Sequence, residues 1–158
     1  MSGPGQVDLI DQIMIVMEAA FDPQWGEAWN RRQVSDALLL NSTHSILIDP
    51  NGQMVTALGP LAAGFILSRQ AADEEELLLI AVKPEHRGRG LGRKLIRQLK
   101  LEANTRKVSK IFLEMREGNP AESLYRSEGF ETIGLRKNYY TARDGSRMNA
   151  LTFGATIK

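Results

Sequence analysis

Residues 87–92 read Arg-Gly-Arg-Gly-Leu-Gly. Glycines at Gly88, Gly90 and Gly92 remove Cβ atoms from a segment that must turn sharply into a helix. Consecutive backbone N–H groups with a helix N-terminus behind them form an anion site. Positive charge gathers at the same place. From Lys83 to Lys110, ten Lys/Arg, with Arg87, Arg89 and Arg93 in or beside the loop, stand against Glu85 and Glu102, a local balance of +8 in a chain whose total is +1. The chemistry indicated is capture of a phosphate-bearing ligand; a solvated basic helix face after a tight turn is the plainer alternative. The spacing is not that of a nucleotide P-loop, G-x-x-x-x-G-K-[ST]. Nor is it G-x-G-x-x-G directly after a strand, because Pro84 to Arg87 intervene, so a dinucleotide fingerprint fails too. Downstream, Glu114 ends an apolar strand and Tyr125 follows Leu124 on an apolar helix face. By themselves they read as an exposed carboxylate and a core aromatic. His86 beside the loop reads as solvated.

The elements that must position these residues follow from periodicity. Asp8 caps a helix whose apolar residues Leu9, Ile10, Ile13, Met14, Met17 and Phe21 keep the 3.6 spacing. A second helix is predicted from about Gly26 to Leu40, with Trp25 and Trp29 near its start. Strands are predicted at Ser45–Asp49, around Phe65–Leu67, and at Leu77–Val82, a continuous apolar run suited to a strand buried on both faces. Acidic Asp73 to Glu76 precedes that run. After Lys83-Pro84 and the glycine loop comes a helix of about Gly90 to Arg106. A strand at Ile111–Glu114 follows, then a short helix with Asn119-Pro120 at its first turn and Gly129 as its stop. Strands at Glu131–Tyr140 and Met148–Gly154, joined by a turn at Asp144-Gly145, complete the order α-α-β-β-β-α-β-α-β-β. This is one α/β domain spanning 1–158, with 1–7 a loose terminus.

Composition narrows the classes. The chain has 158 residues, a 42% apolar and a 25% charged fraction, no cysteine and two histidines. That is ordinary globular usage. It excludes disulfides, thiolate metal sites and a cysteine nucleophile, and leaves no His-rich metal site; no metal is expected. The near-neutral total gives no reason to expect direct nucleic-acid binding. No run reaches the roughly 20 apolar residues of a spanning helix, and the Ile13–Phe21 stretch lacks a basic flank for export. A cytoplasmic protein without a membrane partner is expected.

Two motifs carry a family resemblance. Ile80-Ala81-Val82-x-Pro84 followed by Arg87-x-x-Gly90-x-Gly92 resembles the acetyl-CoA-binding motif of the GNAT acetyltransferases. Asn119 with Ala121-x-x-Leu124-Tyr125-x-x-x-Gly129-Phe130 resembles that family's second conserved segment, one residue shorter between Asn119 and Tyr125. Leu113-Glu114-Met115-Arg116-x-x-Asn119 and Arg136-Lys137-Asn138-Tyr139-Tyr140 with Asp144-Gly145 are similar to members that acetylate the α-amine of ribosomal proteins. The likeness covers most of residues 8–153.

The resemblance implies a central mixed, mostly antiparallel twisted sheet flanked by helices, and acetyl-CoA as co-substrate. It implies that Ile80, Ala81, Val82, the Arg87–Arg93 loop including Leu91, and Asn119 and Tyr125 bind it, with a Val82 N–H at the oxyanion. Glu114 is implied as general base through water, and Tyr125 as proton donor to the departing thiolate. Trp25, Trp29 and one of the pair Tyr139 and Tyr140, with Tyr139 taken first, are implied at the acceptor, a protein N-terminus beginning with alanine or serine. An α-amine is about 10% neutral at pH 7 and a lysine about 0.04%, so a lone carboxylate suffices more readily for the former. A GNAT enzyme acting on a small amine, and a non-catalytic acyl-CoA-binding module, stay open as alternatives.

Overall fold

A computed structural model of the chain describes residues 8–23, 26–56 and 59–157. The expected loose terminus 1–7 and the site candidate Trp25 lie outside the described residues. Helix α1 (Leu9–Ala20) starts where Asp8 accepts the Asp11 N–H at 2.8 Å, and it buries Ile13, Met14, Val16 and Met17. Helix α2 is Arg31–Leu38, five residues shorter at its start than the periodicity suggested. The reason is local. Asn30 accepts from the Gln33 N–H while the Gln33 side chain accepts from the Asn30 N–H, and this reciprocal cap fixes where the helix begins. Residues 26–30 therefore form a crossing loop, turned by Gly26 at φ +63°.

The strands are β1 (Thr43–Ile48), β2 (Gly64–Ala71), β3 (Glu74–Val82), β4 (Lys110–Arg116), β5 (Glu131–Thr141) and β6 (Arg147–Thr156). Helix α3 (Leu91–Thr105) connects β3 to β4, and α4 (Glu122–Ser127) precedes β5. The six strands form one sheet in the order β1-β2-β3-β4-β6-β5. All neighbours are antiparallel except β3 and β4, as expected for a parallel pair joined through a helix.

The sheet has two differently covered faces. Leu91, Leu95, Ile96, Leu99 and Ala103 of α3 pack with Ile111, Leu113 and Met115 of β4 and with Tyr125, Phe130 and Phe153. On the opposite face, α1 and Val34 of α2 pack on Leu47, Phe65, Leu67, Leu79 and Ala81.

Two further expectations are corrected. Glu74, Glu75 and Glu76 belong to β3 and are not a lead-in to it. Tertiary partners override the charge pattern here: buried Glu75 accepts from Ser68 Oγ and pairs with Arg106 at the end of α3, and Arg69 donates to Glu76 at 3.0 Å. Pro120 does not occupy the first helical position, because α4 starts at Glu122 behind an Asn119 turn.

Candidate active site

The site arises from a defect in the sheet. β3 and β4 pair only through Glu74↔Lys110, Glu75↔Ile111 and Glu76↔Phe112. Beyond these pairs the strands part, and Leu77–Val82 and Leu113–Arg116 become the walls of a cleft of about 1010 Å³.

Strand alternation decides which backbone groups face it. The Lys83 N–H donates to Ala63 O at 2.8 Å, so in register with β2 the odd residues Leu79, Ala81 and Lys83 direct their polar groups to β2. Ile80 and Val82 therefore turn theirs toward the parted side. The Val82 carbonyl accepts from Arg87 Nε at 3.1 Å, in keeping with that phase. Side chains of Ile80 and Val82 meanwhile pack on the α3 core.

The glycine loop caps α3 at one end of the cleft. Gly88 and Gly90 stand at φ +78° and +79°, where a side chain is disfavoured, although an added Cβ would meet open space at either. Gly92 differs, because a Cβ there would lie 3.0 Å from Leu124 Cδ2 of α4. The first intrahelical bond of α3 is Lys94 N–H to Gly90 O, and Gly90 supplies no side-chain cap. The N–H groups of Leu91, Gly92 and Arg93 precede it and point out of the helix start. These are the donors a pyrophosphate needs, so the loop fits one.

The arginines divide. Arg87 donates to Val82 O and, at 2.8 Å, to Ala20 O, tying β3 to the end of α1. Arg93 reaches Ser127 Oγ at 3.3 Å and Glu128 at 3.6 Å. Arg89 is exposed. The loop thus offers backbone donors and one outward guanidinium, while the Arg87 and Arg93 side chains brace neighbouring elements.

Glu114 and Arg116 alternate onto the face of β4 opposite α3, beside the 26–30 loop. The carboxylate of Glu114 is three-quarters buried; its Oε2 lies 3.5 Å from Arg136 Nε and accepts from Thr152 Oγ1 at 3.5 Å. Tyr125 comes from α4 on the other face and is 5% exposed. Burial, with a further contribution from Glu27, pushes its hydroxyl far above the ordinary phenol range, so it stays protonated. Tyr140 is pushed up to about 12 by burial and then by the charges of Glu114 and Glu27.

Glu27 is the functional candidate that the sequence did not disclose. It lines the cleft, lies 3.8 Å from the buried Arg116, and is raised by burial, with Arg116 opposing and Asp22 reinforcing. Its segment reads as the start of a helix and carries no known ligand spacing; only the topology brings it here.

The structure brings Ile80, Ala81, Val82, Glu114, Asn119 and Tyr125 to one cleft with Arg87, Gly88, Gly90, Leu91, Gly92 and Arg93. Asn119 spends its Oδ1 on the Ala121 N–H at 2.9 Å. Trp29 lines the cleft, but from the crossing loop and not from a helix. Of the tyrosine pair, Tyr140 lines the cleft. Tyr139 is 52% exposed, with Arg136 over its ring at 5.1 Å.

A mixed sheet parted at its one parallel seam, with a glycine-capped helix at the gap, is the GNAT architecture. The acetyltransferase (GNAT) domain family matches residues 42–132, and the chain belongs to that family. Over 94 residues it is 38% identical to the [ribosomal protein bS18]-alanine N-acetyltransferase of Haemophilus influenzae, a match spanning 60% of this chain and 64% of that protein. The Escherichia coli protein of the same name is 40% identical over 92 residues, 58% of this chain and 62% of its own. The chain thus spans less than two thirds of the length of these curated relatives. The crystal structure of the Escherichia coli ribosomal-protein-S18-alanine N-acetyltransferase superposes with a TM-score of 0.76 at 26% identity, covering 98% of this chain and 92% of that one.

Proposed function

We propose that this protein transfers the acetyl group of acetyl-CoA to a peptide α-amine, its acceptor being the N-terminal alanine or serine of a ribosomal protein. The observation that carries this reading is the parted β3/β4 seam. It opens the sheet from the glycine loop and Tyr125 on one face to Glu114, Glu27 and Tyr140 on the other. Donor and acceptor then approach from opposite faces and meet in the gap. The relatives named for alanine N-acetylation support the acceptor class, and a ribosomal acceptor places the reaction in the cytoplasm.

When bound, acetyl-CoA supplies an activated thioester. The chain's part is to place and stabilise. First-turn N–H groups of α3 hold the pyrophosphate, and cleft-facing groups of Ile80 and Val82 hold the extended arm as a strand would. The Val82 N–H faces the acetyl oxygen as negative charge grows there; a donor of this kind is worth about 3–4 kcal/mol. Glu114 accepts the amine proton through water. Tyr125, kept protonated by burial, donates to the departing sulfur. Glu27 offers a counter-charge to the ammonium before it is deprotonated, and Trp29 and Tyr140 narrow the space for the first side chain. Aromatic walls of this kind select by about 1–3 kcal/mol per methylene, so the preference is graded.

The test compares three peptides with purified protein: one beginning with alanine, the same peptide with its α-amine blocked, and a blocked one carrying an internal lysine. Transfer to the first alone is expected. Robust transfer to the blocked lysine peptide, or to small amines only, overturns the N-terminal reading.

A further inference from the structure

Glu114 does not stand alone on its sheet row. Thr152 of β6 is its register partner, and Gly134 of β5 is the register partner of Thr152. The row therefore runs Glu114, Thr152, Gly134, from a carboxylate through a short hydroxyl to no side chain at all. A Cβ on Gly134 would make ordinary contact with Thr152 Cβ at 3.5 Å, and the glycine leaves that space open. Arg136 lies two residues beyond Gly134, opposite Ala150. Strands are spaced about 4.8 Å apart, and the β6 residues in register with Arg136 and Glu114 are the small Ala150 and Thr152. The guanidinium crosses over these small residues and brings Nε to 3.5 Å from Glu114 Oε2.

Beneath it lies a second support. The β5 register is irregular between Arg136 and Tyr140, with Asn138 at φ +54° and its N–H held by Asn149 Oδ1 at 3.0 Å. That irregularity sets Tyr139 under Arg136, ring centroid 5.1 Å from the guanidinium carbon, and Tyr140 edge-on to Tyr139 at 5.3 Å. Stacking on a ring holds an exposed arginine that would otherwise sample many rotamers.

Both contacts to Glu114 use the same oxygen. Thr152 and Arg136 meet at Oε2, which leaves Oε1 as the oxygen for the proton-relaying water. Arginine cannot give up its proton at working pH, so it clamps the carboxylate without competing for the amine proton.

We infer that Arg136 is a positioning residue: seated on Tyr139, it clamps Glu114 Oε2 across β6 so that Oε1 is aimed at the acceptor amine. The inference rests on the reading of Glu114 as the base, and the experiment separates the two.

Steady-state transfer to an alanine-initiated peptide is measured for the full chain, Arg136→Gln, Arg136→Lys, Glu114→Gln and the Glu114→Gln/Arg136→Gln double variant, with thermal melts to confirm folding. Arg136→Gln should lower kcat, by up to about a hundredfold for a misplacement of about 1 Å, with the KM for acetyl-CoA unchanged. Arg136→Lys should recover part of that loss. The double variant should be no slower than Glu114→Gln alone, because a clamp has no work once its carboxylate is gone. If Arg136→Gln instead raises the acceptor KM at unchanged kcat, or its effect multiplies that of Glu114→Gln, the arginine binds acceptor directly and the inference falls. If Arg136→Gln has no effect while Glu114→Gln is slow, the inference falls and the base assignment stands. If Glu114→Gln keeps full activity, both fall.

Discussion

Replacing Gly90 with alanine isolates the contribution of one backbone conformation to acetyl-CoA capture. Gly90 sits at φ +79°, ψ +12°, as the residue before α3, and an added Cβ meets nothing within 4 Å. The substitution therefore causes no clash, and its cost is the left-handed conformation itself, about 1–2 kcal/mol for an alanine. If the loop holds its shape, that amount comes off stability. For a chain of this length it lowers Tm by about 2–8 °C. If the loop relaxes to negative φ, the folded protein escapes the strain but must restore the conformation to bind, and the same amount comes off affinity, about five- to thirtyfold in Kd. Strain thus appears in one ledger or is shared between them. Gly90→Asn separates backbone from bulk, because asparagine tolerates the left-handed region. Calorimetric titration with CoA and thermal melts are run on both variants. Alanine should lose more than asparagine in the sum of the two measurements. Unchanged CoA affinity and unchanged Tm in Gly90→Ala would refute the claim that this conformation is required, and an equal loss of affinity in both variants with Tm intact would assign the effect to bulk at the phosphate.

Tyr125→Phe removes the hydroxyl and keeps the ring packed on Phe130 and Phe153; kcat should fall about a hundredfold or more with CoA affinity unchanged in titration. Glu27→Gln should slow transfer yet leave the fold as stable or more so at neutral pH. Burial raises the Glu27 carboxyl, so the folded state tolerates its ionised form less well than the unfolded state does, and stability is lost as pH climbs from the ordinary carboxylate value through the raised one. Melts of the two forms should coincide below that interval and separate above it; a less stable variant at neutral pH contradicts the burial argument. Glu75→Ala strips the buried partner from Arg106 and Ser68 and should cost about 3–5 kcal/mol in urea unfolding, as loss of one member of a buried ion pair does.

The order of elements was legible because each is periodic or punctuated: α3 by its apolar face, β3 by Leu77–Val82, the glycine loop by its spacing. Misreadings fell where distant partners decide or where a local cap resets a helix start. Three consecutive glutamates look like a turn until Ser68, Arg69 and Arg106 are set beside them. Gly26–Trp29 looked helical until the Asn30–Gln33 cap moved the start. Of the cleft lining, the residues that motif spacing singles out were legible, whereas Glu27 and the Arg136–Glu114 contact depend on chain crossings that no local pattern encodes. The tyrosine pair shows the limit within a motif: both were visible, but the irregular register of β5 decides that Tyr140 faces the cleft.

The short seam between β3 and β4 has a mechanical consequence. Strands β1–β3 and β4–β6 are two leaves of a hinge plate, joined edge to edge from Asp73 to Glu76, where the Glu75–Arg106 pair also ties β3 to the end of α3. On the proposed reading, a co-substrate laid along Ile80 and Val82 would act as a clasp at the open end, so heat resistance would become a readout of its concentration. At a hundredfold over Kd the clasp adds about 2.7 kcal/mol, about 5–10 °C in Tm for a chain this size. The Ile80 and Val82 amides, without a neighbouring strand on the open side, are the ones whose hydrogen exchange the clasp slows most.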